Sequence, residues 1–565
     1  MTRTLSSIRW VPLAILMIAG LLLSSCQIPP NQVKTEADDF AYSAIEKKWD
    51  DKFGIQANYK MKDTAGAEPT VLPEQVIGAD GVLTLPEAVR QATANSSDYQ
   101  REKEKLYLKA LDLKLVRHLY EPNFFGGGTA AYNQRTPNND AKNPTSDSEF
   151  RYGASAGFDQ LLATGGRISG QVGQAWVDIL TGNMRSGVIS LFSATLEQPL
   201  LRGADREVAL AHLTQAEQDL LYQVRSFNHY RKTFVVSVVS QYYQVCRLED
   251  TLRNADDNSS KFQTIFVKIQ TLAEMGKASR VKVDEIQQEY LKAQHEQILA
   301  RRQYQQALDQ FKLTIDIPPT WNIRLDLTEL ETLHKNPVVE LKFEEAEALR
   351  TAETLRLDLA NLQDQVLDAE RKVRVAADMT RPELNLVAST NRPNTPFRDN
   401  GRTRTVNSVS ASLDLPLDRT VAKTEYRRAM VELEQQKRAA DDATDSIQVQ
   451  VFSDFRKLRE AIDRCQVNGT ALDLARKRLD NTLELISYNR ASTRDILRAQ
   501  QDYYSAQNEA TSALVDYTVA MLEFYRDTGI LSVRSDGMWQ AVNDPNPVPE
   551  LPSQAVQPSE PIQGS

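Results

Sequence analysis

The chain repeats its own order of segments once, and this repeat constrains the fold more than any single residue does. The stretch SATLEQPLLRG at 193–203 returns as SASLDLPLDRT at 410–420, with the two prolines 217 positions apart. Further on, 276–294 matches 489–507 at a spacing of 213 positions. Upstream, the stretches around Pro122 and Pro382 match at a spacing of 260 positions. Repeats at such distances indicate an architecture of two similar units. Each unit is predicted to contain a helix, strands, a very long helix, a turn and a second long helix. The first unit has 43 extra residues among its strands, the difference between the spacings of 260 and 217.

Long segments without proline predict helices well beyond globular length. From Gly203 to Met275 there is no proline and no internal glycine. Apolar residues recur there at the seven-residue spacing of a coiled coil. The first seam contains Leu213, Leu220, Phe227, Phe234 and Leu248, with Gln241 interrupting it, and the second contains Val224, Val238, Val245 and Leu252. A helix of about 70 residues spans roughly 100 Å. We therefore predict this helix, a return helix over about 279–315, and an equivalent pair over about 421–486 and 492–527.

Two shorter regions alternate apolar and small polar residues with the period of a β-strand. The apolar positions are Phe150, Tyr152, Ala154, Ala156 and Phe158 in the first region and Val409, Ala411, Leu413 and Leu415 in the second. Runs of about ten residues with one apolar and one polar face are typical of transmembrane β-strands. Four aromatic residues are candidates for girdles at the membrane interface: Phe124, Tyr132, Trp176 and Phe192. A soluble sandwich would show the same alternation, but it would not explain strands joined to such long helices.

A single copy of these strands is too few to close a barrel. An open sheet edge cannot face lipid, so the strands of several copies must combine. The long helices would likewise close a tube only when copies assemble around an axis. A further alternating pair, about 149–160 and 166–178, falls within the 43 extra residues. It predicts either a wider barrel or a hairpin outside the membrane, and both alternatives stay open at this point.

The N-terminus predicts export from the cytoplasm. Arg3 and Arg9 precede an apolar run, Val11–Leu23, that is too short for a mature spanning helix, and small residues follow it. Cys26 comes directly after Leu-Ser-Ser, which resembles the bacterial lipobox, where the cysteine is lipidated and becomes the mature N-terminus. The alternative is an ordinary signal peptide with an incidental cysteine. Gln27, rather than Asp, favours the outer membrane by the same resemblance.

The composition supports neither a nucleic-acid partner nor an enzyme. The net charge is −9, whereas phosphate binding favours a basic face. The mean hydropathy is −0.46, so the chain contains no bundle of apolar membrane helices. The five histidines show no metal-ligand spacing, and no phosphate-binding or nucleophile motif is present. Cys246 and Cys465 are too few for a disulfide framework, and the sequence does not say whether they pair. We therefore predict no catalytic residue, cofactor or metal.

These segments together resemble the TolC family of outer-membrane efflux proteins, over about 82–532. The resemblance rests on LTLPEA at 83–88, QPLLRG at 198–203, Thr-Gly-Gly at 164–166, and an Ala-Ser…Tyr-x-x-Ala-Gln pattern in both return helices. It implies a homotrimer whose copies jointly build a twelve-stranded barrel and a periplasmic α-helical tunnel. It also implies an exit duct for an inner-membrane pump or a secretion ATPase, joined through a periplasmic adaptor protein.

We therefore expect an α+β membrane protein of TolC-like fold, in which a trimeric transmembrane β-barrel continues into a long coiled-coil tunnel. The expected segments are a lipoprotein signal peptide over 1–25, an acidic N-terminal periplasmic extension over 26–81, a first repeat over 82–330 with β segments in 123–198, a second repeat over 331–532 with a β hairpin in 383–416, and a disordered Pro-rich tail over 533–565. The expected location is the outer membrane, with a lipid anchor and an extension into the periplasm.

The resemblance places the periplasmic tips of the tunnel at the turns near 273–279 and 487–493. The candidate tip and adaptor-contact residues are Gly276, Ala278, Ser279, Asn489, Ala491 and Ser492. Gly276 suits a turn that needs positive φ, and Asn489, the next most tolerant residue type, stands at the matching place.

A candidate pore gate follows the second tip. The family often carries Asp-aliphatic-Leu-Asp-Ala there, and this chain has DILRA at 495–499. Asp495 keeps the first carboxylate and Arg498 replaces the second, so we expect a charged ring in which Arg498 of the same or a neighbouring copy pairs with Asp495. The alternative for Asp495 is a solvated helix charge.

The function expected from these features is passive export through a channel. The competing hypothesis is a non-conducting structural lipoprotein, in which the coiled coil acts as a spacer. A periplasmic adaptor would need an all-β lipoyl-like domain between its helices, and none is readable. The sequence does not name the cargo.

Overall fold

Two repeated units share one β-sheet and one body of long helices. The computed structural model describes residues 29–50, 53–56, 58–62, 81–135, 147–179, 185–335, 344–394, 405–487, 490, 492–534 and 537–538. In that part of the chain, no helix combines the length and the apolar character needed to cross a bilayer. The chain is helix-rich with one large sheet, an α+β fold.

The helices and strands follow the predicted order. The helices are α1 Pro30–Lys48, α2 Leu85–Asn95, α3 Ser97–His118, α4 Arg206–Ala209, α5 Ala211–Glu274, α6 Arg280–Thr314, α7 Thr328–Lys335, α8 Glu345–Leu355, α9 Leu357–Asp378, α10 Thr420–Ser487 and α11 Thr493–Asp527. The strands are β1 Val82–Leu83, β2 Asn123–Arg135, β3 Asp147–Leu161, β4 Arg167–Ile179, β5 Arg185–Pro199, β6 Arg324–Leu325, β7 Glu383–Asn394 and β8 Val406–Asp414.

The helix boundaries confirm the internal repeat. Helices α3 and α9 both have 22 residues, and their first and last residues are 260 positions apart. Helices α6 and α11 both have 35 residues, and their ends are 213 positions apart. These are the spacings read from the sequence, so each half of the chain folds with the same order of helices.

Most of the predicted heptad seam of α5 is buried. This helix has 64 residues and α10 has 68, so each spans about 100 Å. Leu220, Val224 and Val238 are fully buried. Gln241, which interrupts the seam, accepts a hydrogen bond of 2.8 Å from the Thr314 hydroxyl at the end of α6. The interruption is therefore a polar contact between the long helix and its return helix.

One six-stranded antiparallel sheet contains the strands of both units. Its order is β2-β3-β4-β5-β7-β8. The extra pair, β3 and β4, lies inside this sheet between β2 and β5, so it does not form a separate hairpin. The β3–β4 turn includes Gly165, with φ of 76°, and closes with a bond from the Leu162 N–H to the Gly166 carbonyl.

Both ends of the described chain pack against the helical body. Tyr107 in α3 donates a hydrogen bond of 2.7 Å to Asp38 in α1. The buried Arg231 of α5 donates to the carbonyl oxygens of Ile55 and Val533, at 2.8 and 2.6 Å. Val533 is 2% exposed, so the prediction of disorder from this residue onward is wrong at its start. Burial by Arg231 and the surrounding core explains the difference. The residues from 539 onward lie outside the described part of the chain.

A small parallel pairing joins the start of the first unit to its end. Strand β1 pairs with β6 through Val82 and Arg324. The Tyr242 hydroxyl of α5 contacts the carbonyl oxygens of Leu83 and Asp326, at 3.2 and 3.0 Å, and fastens this pair to the long helix. The cysteines of the helical body, at 246 and 465, are both free thiols and do not pair.

Candidate functional site: a two-faced sheet and adjacent helix turns

The apolar positions of both units lie on one face of the sheet. Directly paired residues, and residues two apart in a strand, point to the same side. Tyr152 of β3 pairs with Trp176 of β4, which pairs with Val188 of β5. We call this side the apolar face. Its larger members are Phe124, Tyr132, Phe150, Tyr152, Phe158, Ile168, Val172, Trp176, Val188, Phe192, Leu196, Leu384, Leu386, Val409 and Leu413.

The apolar face is exposed in a single copy. Phe124 is 81% exposed, Val409 76% and Val172 56%. All four aromatic residues proposed for girdles lie on this face. Among the described strand residues, only Phe125 and Val406 are exposed large apolar side chains on the other side. A continuous exposed apolar surface of this kind marks a contact with lipid or with another protein.

The opposite side, the polar face, carries paired charges. Arg167 of β4 binds Asp159 of β3 through two hydrogen bonds, of 2.7 and 2.9 Å. On the same side, Glu149 accepts a bond of 3.0 Å from Asn133. Near the start of the helices, Asn385 donates to Glu197 at 3.2 Å. The sheet therefore offers a continuous apolar surface on one side and, on the other, a surface on which paired charges lie among a few apolar residues such as Ile189 and Leu191. Two unlike faces of this kind are typical of transmembrane β-strands.

The two predicted tips lie next to each other at the far end of the long helices. Arg494, in the first turn of α11, donates a hydrogen bond of 2.9 Å to Glu285, in the first turns of α6. Leu497 of α11 packs with Phe262 of α5 and Ile286 of α6. The structure thus brings together turns that are more than 200 residues apart in sequence.

The first turn has the glycine conformation expected from the sequence. Gly276 has φ of 74°, and its N–H bonds the Ala273 carbonyl at 2.9 Å. The Lys277 N–H bonds the Leu272 carbonyl at 2.8 Å, which completes a glycine-based helix end. The candidate Ala278 is half-buried and Ser279 is exposed at the start of α6. The turn therefore presents the small residues Gly276, Ala278 and Ser279 beside the exposed side chains of Met275 and Lys277.

The second turn is described in part. The candidates Asn489 and Ala491 lie outside the described residues, as does Cys26 near the N-terminus. Ser492 is exposed and precedes α11. Its side chain and that of Asp495 form a capping box, a reciprocal pair of hydrogen bonds at a helix start. The Ser-x-x-Asp spacing was visible in the sequence, and it is the signal from which this cap could have been predicted.

The capping box gives Asp495 a local role. Its carboxylate accepts bonds of 2.7 Å from the Ser492 hydroxyl and 2.9 Å from the Ser492 N–H. These bonds hold the pKa of the Asp495 carboxyl below its usual range. Arg498 is exposed one helical turn later, and among the ion pairs of the described residues none joins it to Asp495 in the same copy. An ion pair between Asp495 and Arg498 would therefore have to join neighbouring copies.

The described part of the chain places no group of three or more His, Cys, Asp or Glu side chains where they could hold a metal ion.

Comparison with known proteins gives matches to outer-membrane channel and secretion proteins. Residues 149–314 match the family model described as outer membrane efflux protein. The alkaline protease secretion protein AprF of Pseudomonas aeruginosa is 25% identical over 370 residues, which cover 62% of this chain and 74% of AprF. The MtrE outer membrane channel of Neisseria gonorrhoeae has a TM-score of 0.56 at 14% identity, covering 84% of this chain and 96% of MtrE. The outer membrane protein VceC of Vibrio cholerae has a TM-score of 0.55 at 11% identity, covering 79% and 96%. At these identities the solved structures show the fold alone.

Proposed function

We propose that this chain is a member of the TolC-like outer-membrane efflux protein family and acts as the outer-membrane exit duct of an efflux pump or a secretion system. The observation that carries this proposal is the joining of a two-faced sheet to helices of 64 and 68 residues in one chain. The sheet would cross the outer membrane and the helices would extend through the periplasm. The channel transports passively, and the attached pump selects the cargo.

The open sheet supports a homotrimer. One copy leaves two edges of the sheet unpaired, and each unsatisfied backbone group costs several kcal/mol in hydrocarbon. Closure around an axis removes both edges and turns every polar face toward a common lumen. The same axis would gather the long helices into a tube. We propose three copies by similarity to the family.

The small residues at the tips are compatible with the binding of a periplasmic adaptor protein. Gly276, Ala278 and Ser279 present little side-chain bulk, and Ser492 lies on the neighbouring turn. Such a surface lets another helical hairpin approach the backbone closely. The partners we propose are therefore an adaptor at the tips and an inner-membrane pump behind it.

If Asp495 is part of a pore gate, its negative charge acts in the pore in addition to its role in the capping box. Asp495→Asn removes the charge but keeps an oxygen for the Ser492 bonds, whereas Ser492→Ala removes the cap and keeps the charge. A pore ring predicts that Asp495→Asn weakens divalent-cation block in planar bilayers and that Ser492→Ala does not. Arg498→Asp should raise cation selectivity and open-channel conductance. Unchanged conductance and selectivity in Asp495→Asn and Arg498→Asp would make Asp495 a surface cap only.

We also propose that Cys26 carries the lipid anchor. Palmitate labelling should mark the wild-type protein and not Cys26→Ser. The variant should still assemble in part, since barrel closure would provide most of the membrane attachment. Equal labelling of the two proteins would contradict the anchor and leave the channel proposal untouched.

Single-channel recording distinguishes the proposed conducting channel from the competing hypothesis of a non-conducting structural spacer. The purified protein should give stepwise conductance in planar bilayers and should migrate differently on gels before and after heating. The heated preparation serves as the control and should be silent. An intact, folded assembly that gives no conductance steps at any voltage would favour the non-conducting coiled-coil lipoprotein.

A further inference from the structure

The position of the extra strand pair in the sheet restricts how any barrel can close. Strand β3 pairs with β2 over thirteen residues, from Asn123 to Arg135, and β4 pairs with both neighbours over equal lengths. Strand β2 therefore reaches β5 only through β3 and β4. The pair cannot be left outside a closed sheet without breaking two full ladders of hydrogen bonds.

The two free edges of the sheet carry few of the features that normally prevent pairing. Natural edge strands are often protected by lysine, proline or a bulge. Strands β2 and β8 contain no lysine and no proline, and their charged residues are terminal, Arg135 and Asp414. All nine residues of β8 are exposed. These edges are long, uncharged along their length and open, which fits strands that pair with another copy.

The strand directions make that pairing antiparallel. The sheet alternates direction at each step, so the first strand, β2, and the last, β8, run oppositely. When copies are arranged in a ring, β2 of one copy therefore meets β8 of the next in the same sense as every other neighbour in the sheet. The apolar face would then continue around the ring without reversal.

Building on the proposed trimeric duct, we propose that each copy contributes six strands, so that the barrel has eighteen strands rather than the twelve implied by the family resemblance. The joint is β2 of one copy against β8 of the next. With strands about 4.8 Å apart and tilted by about 40°, the backbone diameter rises from roughly 24 Å to roughly 36 Å. The outer-membrane mouth would then admit bulkier cargo than a twelve-stranded barrel.

Disulfide cross-linking in intact outer membranes tests the joint. In a Cys246→Ala, Cys465→Ala background, Thr129→Cys on β2 is combined in turn with Ser408→Cys, Ser410→Cys or Ser412→Cys on β8. All four positions lie on the polar face, and the three serines scan the register between copies. Mild oxidation should produce dimer and trimer bands, strongest in one register, with nothing larger than a trimer.

Two controls make the result specific. Thr129→Cys alone should give no trimer. Ser389→Cys with Ser408→Cys should form a bond within one chain, because the two hydroxyls are 2.7 Å apart across β7 and β8. That variant shows that the oxidant reaches the sheet, and its mass should stay that of a monomer.

The outcomes separate this inference from the proposed function. A ladder that ends at a dimer would indicate a ring of two copies and overturn the eighteen-stranded barrel. A twelve-stranded trimer without β3 and β4 would close through the same joint, so the strand number is tested separately by Ser169→Cys with Thr195→Cys, which pair across β4 and β5. In the assembled trimer this variant should form a bond within one chain, and its failure to do so would overturn the eighteen-stranded barrel. An assembly that conducts and has the mass of a trimer, but gives no cross-link in any register, would overturn the joint and leave the duct standing. A protein that neither assembles nor conducts would overturn both.

Discussion

At the residue scale, the sequence predicts positions whose role depends on near neighbours along the chain. Six of the nine predicted seam residues of α5 are buried, and Gly276 has the positive φ that its turn requires. The contacts of Arg231 could not be predicted in this way, since its partners Ile55 and Val533 are far away in sequence and meet it only through folding. Asp495 shows a third case, in which a local capping bond and a candidate pore charge use the same carboxylate.

Gly165 gives a sharp test of the turn between β3 and β4. A Cβ at this position would overlap the Gly203 carbonyl oxygen, and the φ of 76° adds strain for any other residue. Gly165→Ala should therefore destabilise the assembled protein by more than about 2 kcal/mol. Gly127→Ala is the matched control, because no atom lies within 4 Å of its Cβ position. Heat-modifiable migration on gels should be reduced in the first variant and preserved in the second. Equal behaviour would show that the turn does not pack against Gly203.

Asp454 predicts a pH dependence of stability. Burial, a hydrogen bond with Asp527 and the nearby charges of Asp527 and Glu523 raise the pKa of Asp454 to about 7. The folded state therefore holds a proton between about pH 4 and 7 that the unfolded state releases. Stability from this group is present at low pH and is lost as the pH rises through about 7.

Asp454→Asn removes that titration, so its unfolding temperature should change less between pH 5 and pH 8 than that of the wild type. Circular dichroism of the helices measures this difference. Asp473→Asn, at an exposed position of the same helix, should keep the wild-type dependence. If Asp454→Asn retained the full dependence, the carboxylate beside Asp527 would not be its source.

At the element scale, the sequence predicts the helices and strands well and the sheet order less well. The helix ends follow from the internal repeat, because corresponding helices of the two units end at equivalent residues. Alternation predicts each strand and its two faces, but any pairing order is compatible with the same alternation. In the folded chain the consecutive strands β2, β3, β4 and β5 pair in chain order, and the pairing of β5 with β7 is the one that joins distant segments of this sheet.

The two faces of β4 predict opposite responses to charge. Val172 lies on the apolar face in the middle of the strand, and Gln171 lies beside it on the polar face. If the apolar face contacts lipid, Val172→Lys should cost about 2–4 kcal/mol, as for a charge near the middle of a bilayer. Gln171→Lys should cost little. The yield of heat-modifiable protein in the outer membrane measures both. Equal tolerance at the two positions would show that neither side of β4 meets hydrocarbon.

At the scale of the whole molecule, the repeat explains how one chain supplies both a sheet and a tube. Each unit runs from strands into a long helix, turns at a tip and returns, and the two tips meet at Arg494 and Glu285. The sequence predicts this plan because both units carry it. It cannot predict the closed assembly from one copy, since the surfaces that close it belong to different chains.

A three-dimensional reconstruction of the purified assembly in a lipid nanodisc tests the central claim most directly. The account predicts three copies around one axis, a closed barrel in the lipid, and a continuous water-filled passage that ends near Gly276 and Ser492. A monomer with an open sheet, or helices packed around a filled centre, would contradict the claim that this chain forms a duct.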